Sequence, residues 1–93
     1  MTHLSEPEIQ QKLKSLDGWK STSGGIQKQY ELGDFLSAMN LVNRVADLAQ
    51  EASHHPDIFI SYDKVTFTLI THDAGGVSQK DFDLAERIEA IAP

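Results

Sequence analysis

The sequence predicts a small α+β domain, in which a four-stranded antiparallel sheet carries its helices on one face. Three observations predict this class. Three helical stretches each begin at a capping residue, and two short turns divide the strand-like stretches into two hairpins. The third observation is the alternation of residues 65–72, which places Val65, Phe67 and Leu69 on one face and Thr66, Thr68, Ile70 and His72 on the other. Such alternation is typical of an antiparallel sheet with one face on the core. The predicted order is α-β-β-α-β-β-α, within a single domain that spans residues 1–93.

The first third of the chain predicts one helix and one hairpin. Ser5 and Glu8 have the spacing of a capping box, so residues 5–16 are expected to form a helix. Residues 19–32 then combine strand-forming side chains with two adjacent glycines, Gly24–Gly25. This pattern predicts a hairpin whose turn lies at the glycines.

The middle helix is predicted to begin after Asp34, which is a good N-cap residue. Its apolar residues form two neighbouring stripes: Phe35, Met39, Val42, Ala46 and Ala49 in one, and Leu41, Val45, Leu48 and Ala52 in the other. So wide an apolar sector has two interpretations. Either the helix lies deep in its own core, or one face packs on the sheet and the rest contacts another subunit.

The second hairpin is predicted to follow Pro56, which ends the middle helix because a proline disfavours the helical conformation in the residue before it. Two alternating stretches, "DIFISY" and "VTFTLITH", are joined by a tight turn expected at Asp63–Lys64. Counting outward from that turn pairs Tyr62 with Val65, Phe59 with Thr68, and His55 with His72. With His54 alongside, three imidazoles are expected at one end of this hairpin.

The last helix is predicted to begin at Ser78. Asp81 stands at the capping-box offset from that serine, and an acid in the first turn also suits the helix dipole. The apolar side of this helix consists of Phe82, Ala85, Ile88 and Ile91.

The composition excludes several function classes. The 93-residue chain has no cysteine, which rules out disulfides, thiolate metal sites and a cysteine nucleophile. Its net charge of −6 opposes direct binding to nucleic acid, whereas a neutral, planar small molecule meets no such repulsion. No apolar run approaches the roughly 20 residues of a membrane span, and the N-terminal "MTHLSEPEIQ" has no signal-peptide pattern. The sequence therefore predicts a cytoplasmic protein with no direct nucleic-acid or membrane contact.

The histidines are the chemically distinctive residues. Adjacent side chains in an extended segment point to opposite sides, so His54 and His55 cannot easily chelate one ion, and no metal site is predicted. Ser61 and Ser78 stand outside any nucleophile motif. General acid–base chemistry remains, because imidazole gives and takes protons near neutral pH.

The stretch "SHHPDIFISYDKVTFTLITHDAGGVSQKD" resembles the signature region of the pterin-4a-carbinolamine dehydratases. The shared features are the HHP motif, an aromatic after it, "YxKV", "TLxTH", a glycine loop and an aspartate nine residues after the last histidine. They correspond here to His54-His55-Pro56, Phe59, Tyr62, Lys64-Val65, Thr71-His72 and Asp81. The resemblance extends to Gly18-Trp19 and to the middle helix. It departs from the family pattern at Gln50, where members often carry an acid four positions before the first histidine.

The resemblance implies an enzyme that removes water from 4a-hydroxytetrahydropterin to give quinonoid dihydropterin, without a cofactor, and so supports tetrahydrobiopterin recycling. It implies that His54 and His72 act as acid and base and that His55 mainly binds substrate. The implied substrate-binding set is Ser53, His54, His55, Ile70, Thr71, His72 and Asp73, with Pro56, Asp81 and Trp19 as supporting residues. Asp81 either orients a histidine or stabilises the start of the last helix. Trp19 either stacks at the edge of the pocket or packs in the core.

The resemblance also implies a homotetramer, built from two dimers whose sheets continue between subunits. An animal member of the family additionally binds a homeodomain transcription activator. A second hypothesis follows, namely a non-catalytic dimerisation or coactivator-type protein that uses the middle helix as a docking face. The three imidazoles favour the enzyme, because a scaffold has no need of them.

Overall fold

A computed structural model describes residues 3–93 and confirms the predicted architecture. The sheet has the strand order β1-β2-β4-β3, and every pairing in it is antiparallel. The elements are α1 (Glu6–Leu13), β1 (Lys20–Thr22), β2 (Gly25–Glu31), α2 (Phe35–Ala52), β3 (Asp57–Ser61), β4 (Lys64–Leu69), a short 3-10 turn (His72–Ala74) and α3 (Gln79–Ile91).

The helices begin where the capping residues predict. Ser5 accepts from the amide of Glu8, and Asp34 accepts from the amide of Ser37 at 2.7 Å. These bonds satisfy backbone donors that have no partner within the helix. The hydrogen bond from the backbone amide of Ser37 also holds the pKa of the Asp34 carboxyl below its usual value. Among the helix bounds, the end of α1 differs from the prediction. Residues 14–16 do not continue the α-helix but form single turns, closed by hydrogen bonds between residues three apart.

The register of the second hairpin was predicted wrongly by two residues. The turn lies at Tyr62–Asp63, and Ser61 pairs with Lys64, so the predicted pairing of His55 with His72 is wrong. Tyr62 takes a positive φ of 54°, and the carbonyl of Asp63 accepts from the amide of Leu32, the residue directly after β2. Because Lys64 pairs with β2, it lies within the sheet, and the turn falls one residue earlier than predicted. Because the shift is an even number, each side chain within β3 and β4 keeps its predicted face. His72, which was predicted to end the strand, lies instead in the 3-10 turn after it.

The core lies between the sheet and the two longer helices. Val65, Phe67 and Leu69 are fully buried on the helix side of β4. From α2 the buried residues are Ala38, Leu41, Val45 and Ala49. Phe35 and Leu36, at the start of the same helix, are exposed. The wide apolar sector of α2 is thus only partly used inside this chain, which leaves an apolar surface at its N-terminal end.

A partly buried cluster of polar side chains connects the first hairpin to α3 through hydrogen bonds. Glu89 accepts hydrogen bonds from Trp19 Nε1, Lys28 Nζ and Tyr30 Oη. Burial alone would raise the pKa of Glu89, but the bonds from Lys28 and Tyr30 outweigh it and hold the pKa below the usual value. Burial and the same carboxylate raise the pKa of Tyr30. This cluster accounts for Trp19, which is buried and packs in the core.

Gly25 is expected to be the glycine on which the sheet depends most. The prediction placed it in the turn, but it is the first residue of β2, because Thr22 pairs with it across the hairpin. Its φ is +129°, and a Cβ there would lie 2.0 Å from the carbonyl oxygen of Leu69. We expect Gly25→Ala to lower the free energy of unfolding by about 3 kcal/mol or more, from the clash and the backbone strain together.

Gly33→Ala is the matched control for this prediction. Gly33 also has a positive φ, +93°, but a Cβ there would meet no atom within 4 Å. Backbone strain alone should then cost about 1 kcal/mol. Urea denaturation of both variants measures the difference, and equal losses of stability would contradict the packing argument.

Candidate active site

Three imidazoles line one open cavity of about 290 Å³ at the end of the sheet where α2 and β4 stop. Cavities of similar size lie elsewhere on the surface, so the chemistry of the wall distinguishes this one and not its volume. The lining residues are Ser53, His54, His55, Ile70, Thr71, His72, Asp73 and Lys80. The structure thus brings together all of the residues that the sequence predicted to bind substrate, although the register used to align them was wrong.

The C-terminal end of α2 delivers the two adjacent histidines. Ser53 takes the left-handed conformation, with φ 51° and ψ 39°, and its amide donates back to the last helical carbonyls. The amide of His54 then donates to the carbonyl of Ala49 at 3.1 Å. A non-glycine residue in this conformation is uncommon, and such residues occur often at functional sites. This reversal directs the chain out of the helix, so that the two imidazoles take different partners.

His54 is backed by a fully buried carboxylate. Its Nε2 lies 2.5 Å from Oδ1 of Asp81, whose side chain has 0% exposure. A carboxylate can only accept, so Nε2 carries a proton in this contact. Nδ1 of His54 is then the ring nitrogen left for a ligand. The aspartate therefore fixes the tautomer of His54 as well as the orientation of the ring.

Asp81 makes the contacts that both of its predicted roles require. Its Oδ1 contacts His54, while its Oδ2 accepts from the amide of Ser78 and from the hydroxyl of Thr71, each at 2.9 Å. The carboxylate also lies in the first turn of α3, where the helix dipole stabilises negative charge. A buried carboxylate is costly unless it is fully hydrogen-bonded, and here both oxygens are bonded.

His55 has a neutral partner. Its Nε2 lies 3.1 Å from the amide oxygen of Gln50, so this nitrogen donates and Nδ1 is left free. Gln50 stands where the resembling family often carries an acid, and sequence reasoning assigned it no role. The two adjacent histidines thus differ in environment, since His54 is paired with a buried anion and His55 with an exposed amide.

His72 comes from a separate element. It opens the 3-10 turn after β4, and its carbonyl accepts from the amide of Gly75 at 3.0 Å. The turn is closed by two bonds between the backbones of Thr71 and Gly76, at 3.0 and 3.3 Å. The imidazole itself is exposed to the cavity side and to solvent.

Two of the predicted supporting residues, Pro56 and Trp19, lie outside the cavity wall. Pro56 directly precedes β3 and sets its start, whereas Trp19 lies outside the cavity and donates to Glu89. Lys80 lines the cavity and was not predicted, because a lysine beside a helix cap forms no recognisable motif.

No metal site or membrane-spanning helix is found in the described part of the chain. Over residues 3–93, no three His, Asp or Glu side chains are arranged to hold a metal ion. In the same range, no helix has both the length and the apolar character that crossing a membrane requires.

Comparison with known proteins identifies the group to which this site belongs. A family model described as "Pterin 4 alpha carbinolamine dehydratase" matches residues 2–91. Proteins of Koribacter versatilis and a Roseiflexus species, both named "Putative pterin-4-alpha-carbinolamine dehydratase", are 49% and 51% identical over 90 residues. Each alignment covers 97% of this chain, and it covers 96% and 97% of the two relatives.

A solved structure agrees in fold over almost the whole length. It is described as a transcriptional coactivator/pterin dehydratase from Brucella melitensis, and it superposes with a TM-score of 0.92 at 34% identity. The match covers 99% of this chain and 100% of the other. The family match, the relatives and the shared fold agree with the cavity and its three imidazoles: this chain belongs to the pterin-4a-carbinolamine dehydratase family.

Proposed function

We propose that this chain is a hydro-lyase that converts 4a-hydroxytetrahydropterin to quinonoid dihydropterin and water. The observation that carries the proposal is the cavity in which His54, His55 and His72 lie together, with His54 held by the buried carboxylate of Asp81. The proposed reaction needs only proton transfers, which imidazoles perform near neutral pH without a cofactor.

The chemistry divides into a proton gained and a proton lost. The hydroxyl on C4a leaves as water when an imidazolium donates a proton to it. The N5–H proton passes to a neutral imidazole as the C4a–N5 double bond forms, so no electron is gained or lost overall. We assign these two transfers to His54 and His72, which come from different elements and so can act at different atoms of one ring.

His55 is proposed to bind the pterin ring. Its Nε2 is engaged with Gln50, so Nδ1 is free to accept a hydrogen bond from an N–H group of the substrate. Ser53, Ile70, Thr71 and Asp73 complete the wall against which the flat ring would rest. The product would be reduced by a separate enzyme, so we propose that this chain acts in tetrahydrobiopterin recycling. We propose the cytoplasm as its location.

The direct test is a dehydration assay. Chemically generated 4a-hydroxytetrahydropterin is mixed with the protein in a stopped-flow instrument, and formation of the quinonoid product is followed by absorbance. We expect dehydration well above the spontaneous rate and no effect of a chelator. A rate equal to the spontaneous one would refute the proposed activity, and inhibition by chelator would favour a metal-dependent lyase instead.

We further propose that the chain works as a homo-oligomer. Within residues 3–93, β3 pairs with a strand only on its β4 side, and Phe59 and Tyr62 at this edge are 66% and 69% exposed. An apolar sheet edge of this kind is a template for pairing with another strand. Sedimentation equilibrium should give a mass of at least twice that of the 10.3 kDa chain. A monomer at micromolar concentration would contradict the proposal.

The competing function is a non-catalytic, coactivator-type interaction protein. The exposed Phe35 and Leu36 on α2 favour it, since they offer an apolar docking surface. The description of the Brucella structure also contains the word coactivator. The dehydration assay separates the two functions, because a pure interaction protein would leave the spontaneous rate unchanged.

A further inference from the structure

We propose that Thr71 is a positioning residue that couples the two proton-transferring imidazoles. It holds His54 through Asp81, and it carries His72 as the next residue along its own backbone. The proposal deepens the proposed function and rests on it for the roles of the two histidines. Thr71 would then act without its hydroxyl touching the substrate.

The side chain of Thr71 belongs to a buried hydrogen-bond chain. Its Oγ1 lies 2.9 Å from Oδ2 of Asp81 and 2.7 Å from Oγ of Ser78. Thr71, Ser78 and Asp81 are 5%, 3% and 0% exposed, so water does not replace these bonds. Within the described part of the chain, no buried side-chain nitrogen or oxygen is left without a partner.

The directions of these bonds follow from the chemistry of the groups. The ionised carboxylate of Asp81 can only accept, so the single hydroxyl proton of Thr71 points to it. The Thr71 oxygen must then accept the hydroxyl proton of Ser78. The order of donation is Ser78 to Thr71 to Asp81, and the opposite oxygen of the same carboxylate faces His54. Thr71 therefore fixes the rotation of the carboxylate that fixes the imidazole.

The backbone of Thr71 provides the second half of the coupling. Its amide and carbonyl both bond to Gly76, and the 3-10 turn that carries His72 starts at the next residue. A shift of Thr71 would therefore move His72 directly and His54 through Asp81. The hydroxyl of Thr71 is fully engaged, so its predicted contact with substrate is available only through the backbone.

The experiment compares two substitutions at this position. Thr71→Val keeps the shape and removes the hydroxyl, and Thr71→Ser keeps the hydroxyl and removes a methyl group. For Thr71→Val we expect kcat to fall about tenfold with KM within about twofold, because misplaced catalytic groups slow the chemistry more than they weaken binding. Thr71→Ser should stay within about threefold of the wild-type kcat.

Imidazole NMR supplies a readout that stability alone would not move. The Nε2 proton of His54, held by Asp81, should give a shifted resonance in the wild-type protein and in Thr71→Ser. In Thr71→Val we expect that resonance to move or broaden. Thr66→Val is the matched control, because it makes the same change on β4 at a hydroxyl that contacts Gln29 and not Asp81.

The outcomes are distinct. A folded Thr71→Val protein with wild-type kcat and an unchanged His54 resonance would overturn the proposal. If Thr71→Val fails to fold, Ser78→Ala removes the donor to Thr71, and the same two measurements decide with an expected two- to threefold loss of kcat. If the wild-type chain shows no dehydration, the proposed function fails, and the NMR comparison alone decides whether Thr71 positions His54.

Discussion

Replacing either His54 or His72 by alanine is expected to lower kcat for dehydration by about 100-fold or more, since each imidazole is assigned one of the two proton transfers. Substrate binding should change less, because His55 and the rest of the cavity wall remain. Stopped-flow assays with chemically generated 4a-hydroxytetrahydropterin measure kcat and KM separately for each variant. His55→Ala should show the opposite pattern, with the larger effect on KM.

His3→Ala is the matched control for these variants. It removes the one imidazole of the chain that does not line the cavity, so kcat and KM should both stay at the wild-type values. A variant of His54 or His72 that kept the wild-type rate would show that the acid–base assignment is wrong. Thermal unfolding of each variant checks that a loss of rate does not come from a loss of structure.

Asp81→Asn is expected to lower kcat by about 100-fold or more with only a small change in shape. The amide oxygen can still accept from Thr71 and from the amide of Ser78, so the amide NH₂ group would face Nε2 of His54. Two donors cannot share one bond, and the imidazole must move its proton to Nδ1. Nδ1 could then not accept a proton as a base, and without the carboxylate the imidazolium that an acid needs is disfavoured. The same replacement is severe in another acid–base site of this kind.

The ¹⁵N shifts of the His54 ring and the thermal midpoint together distinguish this tautomer effect from simple unfolding. In Asp81→Asn, the ¹⁵N shifts of His54 should exchange between the two ring nitrogens, while the thermal midpoint falls moderately. Glu86→Gln, at an exposed acid of the same helix, should leave both kcat and these shifts unchanged. Wild-type kcat in a folded Asp81→Asn protein would mean that Asp81 serves α3 alone.

Much of the fold followed from local patterns. Caps at Ser5 and Asp34 marked helix starts within one residue, because a cap is a contact between residues three positions apart. The alternation of β4 identified the core face correctly. The register of the second hairpin did not follow, because Tyr62 entered the turn with a positive φ and β2 paired with Lys64. Register depends on a neighbouring strand that the hairpin sequence does not contain.

In the candidate site, the sequence identified the histidines but not the residues that contact them. His54, His55 and His72 could be named from the sequence, since imidazole is scarce in this chain and its chemistry is specific. Their partners could not be named. His54 and Asp81 are 27 positions apart, and their contact depends on how α3 packs against the end of α2. A role for Gln50 could not be predicted, because an amide has no distinctive chemistry until a structure shows which ring it contacts.

The sequence by itself therefore determined the order of the elements, the face of the sheet that is buried and the residues that can move protons. These properties depend on side-chain type and on spacings of two to four residues. Only the tertiary structure decided the strand register, the buried bonds of Thr71 and Ser78 and the different environments of the adjacent histidines. Those properties depend on contacts between distant parts of the chain, and no periodicity records them. The partner of each imidazole is thus a consequence of packing.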